Sequence, residues 1–432
     1  MQATIPPQAG NLPLHRVERR QAATAQPRPA RRILHLTTEY PPVIYGGLGT
    51  AVGGWVTASA RAGLTVGVLL VEGPLVLEHA TYGAGGPLLT AGRGHGLVDR
   101  QGITFFQTSW ADAVQAGVRL AQAWQADVIH LHTAMLWPVA EAIQRQANKP
   151  LVYHVHSVDR AEYELGREPN QWLAHSHAQE AAIAAADRLI ALSRDERDLL
   201  VHYYPECRAR VRVIGNGIDD STTTQAAVHK PRDTPTPLVL YSGRLVERKG
   251  IRELLAAIPS VLQVAPATNF VLAGGPPGVS GADLKQQWLP AELAGYGERI
   301  HFTGWLTPDE VAAWYRRADV LVVPSRYEPF GMVILEGMLH GLPVVAANVG
   351  GPAEILRHKQ TGLLFPPMDV GSLSQQLIRV VTSVSLRRQI GLRAANQARA
   401  RWLWPQTVGA DATGLRGGPP SSPVLSMTLQ AS

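Results

Sequence analysis

Short runs of β-branched and aliphatic residues alternate with longer amphipathic stretches along most of this chain, and the alternation comes in two series. In the first, candidate strands fall at 33–37, 65–71, 103–106, 127–131, 150–155, 188–192 and 211–214. Helical patterns lie between most of them, including 48–62, 112–124, 136–147 and 172–186. The second series opens with Leu238-Val239-Leu240-Tyr241 and continues at 269–273, 299–303, 319–323, 343–346 and 362–365. Strands separated by helix-length connections predict a parallel sheet covered on both faces. From Asp219 to Pro237 the chain carries turn formers and no apolar periodicity, which predicts a domain boundary. The expected fold class is therefore α/β, with two Rossmann-like parallel-sheet domains, 33–225 and 236–383, facing across a cleft. A helical region, 384–408, follows them. Ligands of such sheets bind beyond the carboxyl ends of the strands, and each motif described below stands at such an end.

Composition narrows the class. With 432 residues, 45% hydrophobic and 17% charged, the chain can bury a core in both domains. No apolar run reaches the roughly 20 residues of a membrane helix, and no signal-peptide core is expected at the N-terminus. The single cysteine, Cys207, rules out an intrachain disulfide and fits a reducing compartment. The expected location is cytoplasmic, with at most peripheral contact at a membrane surface. The net charge is +6, but residues 1–32 hold six arginines and one glutamate, so five of those charges lie there. That segment, rich in Pro, Gln and Ala, reads as a disordered basic tail and not as a nucleic-acid site. Residues 409–432 read as a second disordered tail.

Three segments carry chemistry. The first is Pro324-Ser325-Arg326-Tyr327-Glu328-Pro329-Phe330-Gly331-Met332-Val333-Ile334-Leu335-Glu336, which leaves an apolar strand and enters a helix. Pro329 is expected near the first helical residue. Backbone N–H groups around Gly331 suit a phosphate, and Glu336, about two turns into the helix, can bind a different part of an elongated ligand from Glu328. The second is Ser242-Gly243-Arg244 through Lys249-Gly250. Arg244 can grip a phosphate with two hydrogen bonds and Lys249 adds a compact charge, as a diphosphate leaving group requires. The third is Glu39-Tyr40-Pro41-Pro42-Val43-Ile44-Tyr45-Gly46-Gly47-Leu48-Gly49, a Gly-Gly turn opening a helix. A surface salt-bridge patch would explain any one segment; the segments together point to one site.

In these segments the chain resembles glycosyltransferase family 4, the large retaining family of GT-B fold. The similarity covers roughly 33–400, and its most specific parts are the two glutamates Glu328 and Glu336, separated by seven residues, and Arg244 with Lys249. The resemblance implies a nucleotide diphosphate sugar as co-substrate, UDP-sugar favoured, with no cofactor and no metal. It implies that Glu328 faces the donor sugar as a catalytic residue and that Glu336 binds the ribose hydroxyls. Arg244 and Lys249 would hold the diphosphate with backbone groups of Phe330, Gly331 and Met332. Gly46 and Gly47 would approach from the other domain. His156, at the end of the run Leu151–His156, matches a histidine that contacts the donor sugar.

The resemblance implies transfer of a hexosyl or N-acetylhexosaminyl group to a hydroxyl acceptor by front-face attack, the departing diphosphate serving as base. Ile44 and Tyr45 stand where bacterial glycogen synthases carry a lysine, which weighs against an α-glucan acceptor and toward a small polyol, aminocyclitol, lipid- or polysaccharide-linked one. A sugar-nucleotide epimerase or a non-catalytic nucleotide-sugar binder are the competing classes. His130, His132, His154 and His156 alternate on neighbouring strands, but a zinc site is ranked low for want of an acidic or thiol ligand. The loops 72–102 and 157–171 carry no transferable motif. The helical pattern of 384–404 dissolves after Trp404-Pro405, which predicts a shortened crossover to the first domain.

Overall fold

The computed structural model describes residues 32–41, 46–72, 97–98, 102–166, 172–220 and 236–409. The sequence-based expectations for both tails, for the linker core and for Ile44 and Tyr45 lie outside them. The first sheet holds β1 (Arg32–Thr37), β2 (Thr65–Glu72), β3 (Leu97–Val98), β4 (Thr104–Ser109), β5 (Val128–Leu131), β6 (Leu151–Val155), β7 (Arg188–Ala191) and β8 (Val211–Val213). Their order is β3-β4-β2-β1-β5-β6-β7-β8. All pairs are parallel except β3 with β4, an antiparallel edge inside a stretch expected to be loop. The second sheet holds β9 (Leu238–Ser242), β10 (Asn269–Ala273), β11 (Ile300–Gly304), β12 (Val320–Val323), β13 (Val344–Ala347) and β14 (Leu363–Phe365). Its order is β11-β10-β9-β12-β13-β14. The reversal of strand order beside β9 leaves β9 and β12 as neighbours, and their carboxyl ends emit the second and first motif segments.

Burial explains the regularity. β5, β6 and β12 are buried at every residue, as strands covered on both faces must be. Among the described residues no helix is long and apolar enough to cross a membrane. Residues expected as loop at 157–171 include a helix, Asp159–Gly166. Val158 and Ala161 are fully buried on one side, and Arg160 and Glu164 pair four residues apart at 3.0 Å on the other. That combination sustains two turns that propensity alone does not.

The C-terminal stretch returns to the first domain through a short segment. The helix Val384–Arg401 ends at Trp402, and a further short helix, Trp404–Gly409, reaches the first domain. Ile218 N–H donates to the Trp402 carbonyl at 2.8 Å, and Trp404 N–H donates to the Ile218 carbonyl at 3.3 Å. The Trp404 ring packs edge-on against Trp55, 6.0 Å between centroids. It rests on Gly54, where a Cβ would meet it at 2.1 Å, so only glycine admits this ring. The crossover is made by two backbone bonds and one aromatic plug, features without periodicity.

Candidate active site

The loop after β12 is shaped by Gly331, whose φ of 97° lies in the left-handed region that favours glycine. The helix Met332–Leu339 starts only after it. Pro329 therefore lies in the loop and not at the first helical position as expected, and Glu336 is one turn in, not two. The Gly351 N–H donates to the Glu328 carbonyl at 3.1 Å and braces this loop from behind. The Phe330 ring is buried edge-on against Trp402, and its backbone packs against Gly351.

Gly46 caps the helix Gly47–Arg61, as the paired glycines predicted. A Cβ on Gly47 would sit 3.7 Å from the Met332 side chain. Two helix N-termini, one from each domain, thus meet at contact distance. Each has N–H groups without an intrahelical acceptor, and both dipoles present their positive ends.

The second segment delivers Lys249 to the same place. A single turn, Glu247–Lys249, follows β9, and the Arg326 N–H donates to the Arg248 carbonyl at 2.8 Å, tying the loops after β9 and β12 together. Lys249 Nζ donates to Glu328 Oε2 at 2.6 Å, and Ser325 Oγ donates to the same oxygen at 3.1 Å. Burial alone would raise the Glu328 carboxyl, but Lys249, Arg248 and Ser325 outweigh it and hold it below its ordinary value, so it is a carboxylate. Burial lowers the Lys249 ammonium, Glu328 opposes that shift, and Arg248 adds to it. Arg244 is exposed at the mouth, its carbonyl fixed by Tyr241 Oη at 2.6 Å.

Glu336 accepts from Tyr315 Oη at 2.7 Å. Burial raises its carboxyl from the ordinary value and the Tyr315 bond opposes the rise. His156, partly exposed just beyond β6, places its Nε2 3.2 Å from His132 Nδ1. Two residues on, the Val158 N–H donates to Tyr327 Oη at 2.9 Å, which sets the His156 segment beside Glu328.

That last bond belongs to a junction that sequence reasoning missed. Tyr327 Oη also lies 2.8 and 2.9 Å from the two carboxyl oxygens of Glu196, on the helix Arg194–Tyr203 of the first domain. Nearby, the buried Arg248 pairs with Glu162 at 3.2 Å across the same boundary. Burial pushes the Glu196 carboxyl up to about 8, with Tyr327 opposing the rise and Asp195 and Glu162 adding to it. A folded value above the unfolded one means that the folded protein binds the extra proton. Stability should then be full below about pH 4.5 and fall as pH rises toward 8. Glu196→Gln is expected to remove that slope. Relative to wild type it should gain at least about 1 kcal/mol between pH 5 and pH 8, one pKa unit being about 1.4 kcal/mol. Denaturant titrations at the two pH values check this; parallel loss in both proteins would refute it.

Comparisons with known proteins identify the family. The model described as Glycosyltransferase Family 4 matches residues 45–222, and the one described as Glycosyl transferases group 1 matches 223–397. Over 387 residues the chain is 32% identical to the glycogen synthase of Mycobacterium tuberculosis, covering 85% of this chain and 89% of that one. It belongs to glycosyltransferase family 4. A D-inositol 3-phosphate glycosyltransferase of Streptomyces bingchenggensis is 31% identical over 301 residues, 66% of this chain and 65% of that protein. The Anabaena protein HepE, solved in complex with UDP-glucose, superposes with a TM-score of 0.62 at 21% identity, over 86% of this chain and 96% of that one. The glycosyltransferase therefore has the GT-B architecture expected from its sequence.

Proposed function

We propose that this glycosyltransferase binds a nucleotide diphosphate sugar, most readily a UDP-sugar, between the two facing helix N-termini and transfers its hexosyl or N-acetylhexosaminyl group with retention to a hydroxyl acceptor. The observation that carries the reading is the meeting of Gly47 and Met332 beside the Lys249–Glu328 pair. It brings partial positive charge from two directions together with a full positive charge and a carboxylate. HepE, which binds UDP-glucose in its crystal, has the same fold.

In this reading the bond from the anomeric carbon to the diphosphate breaks as the acceptor oxygen bonds to that carbon. The acceptor's proton passes to the departing diphosphate on the same face. Negative charge grows on the diphosphate, where Lys249, Arg244 and the helix N-termini stabilise it most as the bond breaks. The Glu328 carboxylate, kept ionised by Lys249, offsets positive charge on the anomeric centre. Glu336 receives the ribose hydroxyls, and no metal is assigned a role.

Incubation with UDP- and ADP-sugars, followed by mass spectrometry with candidate acceptors, tests the proposal. Absence of transfer from every nucleotide sugar would refute it. Glu336→Ala should weaken UDP binding about 10-fold or more, by loss of hydrogen bonds to a buried partner, and Arg244→Ala should lower turnover by about 10- to 100-fold. Calorimetry and initial rates separate the two effects. The likeness to glycogen synthase over most of both chains favours an α-glucan as a second acceptor reading. Elongation of maltooligosaccharides distinguishes it from glycosylation of a small polyol.

A further inference from the structure

Five histidines from three adjacent strands lie together beneath the proposed donor site: His35 in β1, His130 in β5 and His132 beyond it, His154 in β6 and His156 beyond it. The sequence drew attention to four of them, and β1 supplies the fifth. Two triads, His35–His130–His132 and His132–His154–His156, each have ring nitrogens within 4.8 Å of one another. The ring planes speak against a metal. His130 stacks on His132 at 4.3 Å and 22°, and His154 on His156 at 4.3 Å and 17°. A bound ion lies in the plane of each imidazole that holds it, so two stacked rings do not aim their lone pairs at one ion. Each triad contains such a pair. Both triads also need His132, whose two nitrogens are already engaged.

Those engaged nitrogens form a chain. His35 Nδ1 lies 2.8 Å from His132 Nε2, and His132 Nδ1 lies 3.2 Å from His156 Nε2. Burial holds the rings neutral, lowering His35 and His156 to about 3 and His132 well below 6.5. A neutral imidazole has one N–H, so both hydrogen bonds must run in the same direction. An inward chain ends on an N–H at His35 Nε2, which is buried and has no partner among the described residues. An outward chain leaves only a lone pair there, and orphaned buried donors are the rarer of the two.

We propose that His35 and His132 are positioning residues whose outward-running hydrogen-bond chain locks His156 in the Nδ1–H tautomer, so that His156 offers a donor to an oxygen of the transferred sugar. The chain rests on the two ring contacts, the unpartnered His35 Nε2 and the neutrality that burial imposes, and its role in transfer rests on the donor site proposed above. With its Nε2 taken by His132, His156 has only Nδ1 left for a ligand. A hydroxyl or ring oxygen would then be bound by donation from the protein.

Long-range proton–nitrogen correlation spectra of the full chain, ¹⁵N-labelled at histidine, read the tautomers directly. The wild type should show Nδ1–H and a bare Nε2 on His156. His132→Leu should move His156 toward the Nε2–H form that free imidazoles favour and lower kcat about tenfold, with UDP affinity unchanged. His132→Gln should restore both, because its carbonyl accepts from His35 while its amide donates to His156. An Nε2–H tautomer on wild-type His156, or an Nδ1–H tautomer that survives in His132→Leu, overturns the proposal. Full activity in His156→Ala, with the tautomers as proposed, would instead overturn the placement of the sugar beside His156 and leave the chain standing.

Discussion

Glu328→Gln is expected to lower turnover by about 10³-fold while leaving UDP affinity within a few-fold of wild type. The substitution keeps the size of the side chain and a carbonyl oxygen for the Ser325 hydroxyl, which donates to Glu328 at 3.1 Å. What it removes is the charge that Lys249 keeps on the carboxyl. Loss of one aligned charge costs about 10²–10³ in kcat, and the loss here also leaves the partly buried Lys249 ammonium without its counter-ion. Glu328→Ala should be no more active and less stable, because breaking a buried pair costs about 3–5 kcal/mol. Single-turnover rates with saturating donor, beside calorimetric UDP titrations, check the expectation. A Glu328→Gln enzyme with near-normal kcat would remove Glu328 from the chemistry and reduce the pair to a structural contact.

Trp404→Ala is expected to destabilise the protein by about 3–5 kcal/mol, the range for removing a buried tryptophan. The ring is 3% exposed, crosses Trp55 edge-on and fills the space that Gly54 leaves open. The cavity would lie at the contact between the first domain and the returning chain. Thermal and denaturant unfolding measure the loss, and Trp404→Phe, which keeps an aromatic edge, should recover part of it. An unchanged transition in Trp404→Ala would show that the ring contributes nothing to holding the domains.

Much of the fold is visible in the sequence because a parallel sheet buried on both faces requires unbroken apolar strands, and β5, β6 and β12 have them. The donor-side motifs are visible for a related reason: each stands where a strand gives way to a helix. Partners distant in sequence are hidden. Nothing near Tyr327 indicates Glu196, 131 residues away, and nothing in the run Arg32–Thr37 marks His35 as other than a core position. The Asp159–Gly166 helix is hidden because its support is a buried flank and one ion pair, not propensity. The start of the helix at Met332 depends on a single dihedral angle at Gly331. A proline two residues earlier suggests a different start.

The chain passes between the two sheets twice, once beyond Ile218 and once on its return through Trp402 to Trp404, and the two passages are bonded to each other. Arg399 reinforces them by pairing with Asp220 at 2.9 Å. Two connections at nearly one point act as the pin of a hinge. Parting the domains along this edge has to break the Ile218–Trp402 and Trp404–Ile218 hydrogen bonds. An opening that keeps those bonds swings from this edge, with the Gly47–Met332 contact parting as the jaw.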